Sequence, residues 1–100
     1  MSQDVDLHLT LYLVNEEKHQ GMINELRSLI DEHYQNQAGT LDIVDVLSVP
    51  EKALENNVFA TPMLIREIPK PILKVLINIA SAKDVFLAIR VNNDQARALL

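Results

Sequence analysis

The chain has 100 residues, 48% hydrophobic and 23% charged, with a net charge of −5 and a pI near 5.0. These values predict one folded domain over residues 1–100 and exclude a disordered chain. The negative balance without a basic patch argues against nucleic acid as a partner. The absence of cysteine removes disulfides, thiol chemistry and Cys-based zinc sites.

Leu7–Val14 alternates with period 2. Leu7, Leu9, Leu11 and Leu13 share one face, and His8, Thr10, Tyr12 and Val14 share the other. The second face is apolar enough to predict a central strand covered on both sides. After the polar break Asn15–Lys18, residues His19–Tyr34 carry Met22, Ile23, Leu26, Leu29 and Ile30 at helical spacing. Asn36-Gln37-Ala38-Gly39 then turns the chain, and Leu41–Leu47 reads as a second, β-branched strand. A βαβ unit of this kind places its strands parallel with a right-handed crossover. Ser48-Val49-Pro50 is expected to cap a short helix with Ala53, Leu54 and Val58 facing inward.

Val58–Pro71 holds three of the four prolines, Pro62, Pro69 and Pro71. Pro62 is suited to opening a strand, because it has no N–H to give to a sheet interior. A strand over Met63–Ile68, a rigid turn, and an antiparallel strand over Ile72–Ile77 follow. An X-Pro bond lies within about 1 kcal/mol of cis, and a cis Thr61–Pro62 peptide is expected. Val85–Val91 carries two patterns at once. It alternates like a strand, yet Ala82, Val85, Phe86 and Ile89 form a helical stripe behind Ser81 as N-cap and Asp84. Residues 95–100 are helix-prone. No stretch is long and apolar enough to span a membrane, and no secretory leader opens the chain, so a cytoplasmic protein is expected.

Leu11-Tyr12-Leu13-Val14, Ile43-Val44-Asp45-Val46-Leu47 with Pro50 behind it, Phe59-Ala60-Thr61-Pro62 and Pro69-Lys70-Pro71, in this order and spacing over about residues 7–91, resemble the KaiB family of circadian-clock proteins. The resemblance implies a thioredoxin-like βαβαββα fold, no catalysis and no cofactor, and binding to a KaiC-like ATPase in a clock, timer or stress-response system. It also implies two arrangements of the C-terminal half: a ground state with Val85–Val91 as a strand, and a thioredoxin-like state, the one that binds the ring, with that segment as helix. Where clock members carry glycine and then an acidic residue two places on, this chain has Ala88 and Arg90. Alanine in place of glycine favours helix by roughly 1 kcal/mol, and a cation near a helix C-terminus adds a few tenths. The thioredoxin-like state is therefore expected to dominate.

At positions where clock members carry lysines, on strand faces and before Ala-Thr-Pro, this chain has Thr10, Asp42 and Asn57. Fewer positive charges weaken docking to an acidic surface. With Tyr12, Thr61 and Pro62, these residues are the candidates for partner contact. Tyr12 also reads as packing at the edge of the core. The alternative reading is a stand-alone thioredoxin-like domain without redox activity that binds a small molecule or a different partner. The apolar strands, and a sheet edge expected near Met63–Ile65, suggest a homo-oligomer, dimer or tetramer. His8, His19 and His33 are too dispersed for a metal site. Asp42 and Asp45, three apart on a strand, point to opposite faces, and Asp45 reads as structural.

Overall fold

In the computed structural model the described residues are 6–34, 38–77 and 82–90. Four strands and three helices follow in the order β1 (Leu7–Leu13), α1 (Gln20–His33), β2 (Gly39–Asp45), α2 (Pro50–Glu55), β3 (Met63–Ile68), β4 (Leu73–Leu76) and α3 (Ala82–Arg90), with a 3-10 turn at Glu16–His19 leading into α1. The sheet order is β2-β1-β3-β4. β1 and β2 run parallel, Leu9 beside Leu41 and Leu11 beside Ile43, while β1–β3 and β3–β4 are antiparallel. This is the thioredoxin-like arrangement.

The period-2 pattern of β1 settles the two layers. Leu7, Leu9, Leu11 and Leu13 bury against Ile23, Leu26 and Ile30 of α1 and Val85, Phe86 and Ile89 of α3. On the opposite face Tyr12 joins Val44, Ala53, Val58 and Ile65 in a second, smaller cluster beneath α2. β1 is thus the covered central strand that its two apolar faces predict. The α1–α3 contact is finished by aromatic rings, with Phe86 tilted at 5.3 Å from His33 and edge-on at 6.5 Å from Tyr34.

The segment with two patterns is helical through Arg90. Ala82, Val85, Phe86 and Ile89 are all buried, which is the stripe that a helix, and not a strand, brings to one side. The Thr61–Pro62 peptide is cis, as are Ile68–Pro69 and Lys70–Pro71.

Four expectations are corrected. β2 ends at Asp45 instead of Leu47, because the Asp45 carboxylate accepts the Leu47 amide at 2.9 Å and the Asp45 carbonyl accepts those of Ser48 and Val49 at 3.0 Å. These bonds turn the chain out of the sheet, which gives Asp45 its structural role. The N-cap of α2 is Val49, with no side-chain cap. Of the three residues assigned to the inner face of α2, Ala53 and Val58 are buried but Leu54 stands 70% exposed. Met63–Ile65 is not a sheet edge: β3 lies between β1 and β4, and the edges are β2 and β4. The expected turn at Asn36-Gln37, the Ser81 cap, Val91, residues 92–100 and the side chain of Arg90 lie outside the described residues.

Candidate partner-binding face

The α2 side of the sheet carries most of the candidate residues. Thr10 sits on β1 between Asp42 of β2 and Ile65 of β3. It is only 8% exposed, and its hydroxyl donates to Glu67 Oε2 at 2.8 Å. Glu67 reaches it from an irregularity in the β1–β3 ladder, where Leu9 pairs with Arg66 but His8 pairs with Ile68, leaving Glu67 as the extra residue on β3. Thr10 is therefore committed to a hydrogen bond inside the face instead of standing out from it. Asp42 is exposed beside it. Lys74, an exposed cation on β4, donates to the Asn56 carbonyl at 2.8 Å just past α2. The face thus presents both the Asp42 carboxylate and the Lys74 ammonium, the latter drawn toward α2.

Tyr12 is buried in the cluster beneath α2, which matches its packing role. Burial raises its pKa above the ordinary value of 10.0, and the carboxylates Glu67 and Glu55 push in the same direction by disfavouring a nearby phenolate. Asn57 closes α2 in the left-handed region, φ 58°, which asparagine tolerates better than most residues, and its side chain is exposed. Thr61 and Pro62 are half-buried where the chain enters β3, and the Pro62 carbonyl accepts the Ile77 amide at 2.8 Å. The face thus brings Thr10 and Asp42 together, with Tyr12 beneath the same helix that Asn57 terminates. Ala88 is exposed on α3, which packs against the other face of the sheet.

Two residues of consequence escaped the sequence reading. Glu67 is one. The other is Arg66, which points to the α3 side and is only 3% exposed. Its guanidinium donates from one terminal nitrogen to the Ile89 carbonyl at 2.6 Å and from the other to the Pro71 carbonyl at 2.8 Å. Its Nε is buried with no hydrogen-bond partner. Burial lowers its pKa from the ordinary arginine value. The signal was present: alternation along Met63–Ile68 puts Arg66 on the same face as Leu64, inward. Among the described residues no three His, Asp or Glu side chains converge on a possible metal position, and no helix is long and apolar enough to cross a membrane.

Comparison with known proteins agrees with this geometry. The N-terminal domain of SasA from Synechococcus elongatus superposes with a TM-score of 0.70 at 15% identity, covering 89% of this chain and 84% of that one, which establishes the fold. Circadian clock oscillator protein KaiB of Microcystis aeruginosa is 26% identical over 75 residues, 75% of this chain and 71% of the relative. KaiB of Gloeothece citriformis is 25% identical over 73 residues, 73% and 68% of the two chains. The KaiB domain model matches residues 10–89, and the chain belongs to the KaiB family.

Proposed function

We propose that this protein is a non-catalytic, cytoplasmic regulator that acts by docking to a KaiC-like ATPase in a timing or stress-response system. The observation that carries the reading is α3. Residues Ala82–Arg90 are helical over a fully buried stripe, and in the KaiB family the arrangement with this segment as helix is the one that engages the ATPase ring. A catalytic role finds no support in the side chains: there is no thiol where a thioredoxin-like enzyme needs one at the start of its first helix.

Thr10, Asp42 and Asn57 take the places of lysines in clock members. The partner surface suited to this protein is correspondingly less acidic than that of a clock KaiC. The experiment is size-exclusion chromatography with light scattering, the protein mixed with its own organism's KaiC-like ATPase and ATP. Co-elution at the mass of a loaded ring is the expected result. Separate elution after hours at tens of micromolar would refute the proposal. The same run on the protein alone gives its oligomeric state.

A further inference from the structure

A cleft opens between α1 and β2, on the side of the sheet away from α2. It measures about 140 Å³ and is lined by Arg27, Ile30 and Asp31 of α1 and by Gly39 and Leu41 of β2. Ile30 and Leu41 belong to the core and give it an apolar floor. At one end α1 and β2 approach so closely that a Cβ at Gly39 would press on Ile30 and Tyr34. A cavity of about 150 Å³ holds one benzene molecule, so a leucine-sized alkyl group fills this space and a drug-sized ligand does not fit it.

The two charged residues of the cleft have opposite signs and do not neutralise each other. Arg27 and Asp31 stand one turn apart on α1, yet neither has a hydrogen bond or ion pair. Cation before anion along a helix is the weaker order for such a pair. Glu25 and Glu32, the other acids of α1, do not line the cleft. The backbone adds to these groups. The Leu7 amide bonds to the Ala38 carbonyl and the Val46 amide to the Leu13 carbonyl, so the even-numbered residues of β2 turn their polar groups toward β1. Gly39 and Leu41 therefore turn their N–H and C=O groups outward, and β2 is an edge strand. We propose that this cleft binds a free α-amino acid with an aliphatic side chain. The ligand's carboxylate accepts from the Arg27 guanidinium, its ammonium donates to the Asp31 carboxylate, and its alkyl group rests on Ile30 and Leu41. A ligand with one charge would leave Arg27 or Asp31 unmatched, and a neutral one would leave both. The site is separate from the α2 face and does not depend on docking to an ATPase.

The test is an amide-shift titration of the full chain with L-leucine, beside glycine and N-acetyl-leucine amide. The expected result is saturable binding of leucine, with the largest shifts at residues 27–31 and 39–41. Glycine, which has both charges and no alkyl group, binds more weakly, and N-acetyl-leucine amide, which has the alkyl group and neither charge, does not bind measurably. Arg27→Gln and Asp31→Asn, both at exposed positions, each weaken leucine binding about fivefold, while Leu87→Ala on α3 leaves it unchanged. Absence of saturation, shifts centred elsewhere, or an unchanged affinity in both charge variants would overturn the proposal. So would equal binding of N-acetyl-leucine amide, because the cleft would then serve an extended chain lying on the β2 edge.

Discussion

Replacing Arg66 by methionine tests whether a buried cation holds the last turn of α3 to the sheet. A helix leaves its final four carbonyls without partners of its own, and Ile89 lies in that turn. Arg66 supplies the missing donor at 2.6 Å and spans to the turn between β3 and β4 through Pro71 at 2.8 Å. Hydrogen bonds from a charged donor contribute about 1.5–3 kcal/mol each, so the two together are worth roughly 3–6 kcal/mol. Against them stand the desolvation of the guanidinium and the unpartnered Nε, the latter alone costing about 1–3 kcal/mol. Arginine is the cation best placed to survive this, being weakly hydrated and set at the negative end of a helix dipole. Methionine fills much of the volume but leaves two carbonyls without a donor.

The expected net loss for Arg66→Met is about 2 kcal/mol, read from urea unfolding as a lower midpoint at unchanged slope. For a domain of this size that corresponds to a drop of about 8–16 °C in Tm. Amide exchange sharpens the test, because protection should fall most in residues 86–90 while the amides of β1 follow only the global change. Arg66→Lys, which keeps the charge and can reach one carbonyl but not both, should lie between. A methionine variant as stable as the parent, or more so, would refute the reasoning. It would mean that desolvation outweighs both bonds, as happens when some buried ion pairs are replaced by apolar residues.

Ala88 is exposed on α3, so Ala88→Gly removes little packing and reports helix propensity, with an expected loss of about 1 kcal/mol and reduced helical ellipticity. At Gly39 a Cβ would lie 2.5 Å from Ile30 Cγ2 and 3.1 Å from Tyr34 Cβ. Gly39→Ala should therefore destabilise by about 1–3 kcal/mol, and trimming Ile30 to valine in the same chain should cost less there than it does alone. The raised pKa of Tyr12 makes its neutral form the one that the fold prefers. Its contribution is fully present below the unfolded value of about 10 and is lost as pH rises toward the higher folded value. Melting temperatures between pH 9 and 11.5 should fall less steeply in Tyr12→Phe than in the parent, and identical slopes would show that Tyr12 does not titrate with unfolding.

The layers of this fold were legible wherever a residue's position along its element sufficed to place it. The leucines of β1, the stripe of α1 and the parallel β1–β2 pair follow from spacing alone, since a one-residue slip would send Leu9 and Leu11 to the wrong face. Val85–Val91 was ambiguous for a physical reason: Val85 and Ile89 lie on one side of either a strand or a helix. The deciding residues, Ala82 and Phe86, matter only once α1 is present to receive them. Boundaries set by side chain to backbone bonds, as at Asp45, were likewise out of reach of hydropathy, which does not register what a carboxylate accepts.

Charge was read least well, and the same cause runs through each instance. By type alone Thr10 counts as a surface position, Lys74 as a free cation and Arg66 as an exposed one. Each is instead engaged by a group distant in sequence: Glu67 57 residues from Thr10, Asn56 18 from Lys74, and Ile89 23 from Arg66. Arg66 is buried against α3, whereas Lys74 keeps its charge on the exposed α2 side with its ammonium drawn to the end of α2. The α2 side therefore mixes the exposed carboxylates of Asp42, Glu51 and Glu55 with the exposed ammonium groups of Lys52 and Lys74, and residue type alone does not assign that side one sign of charge.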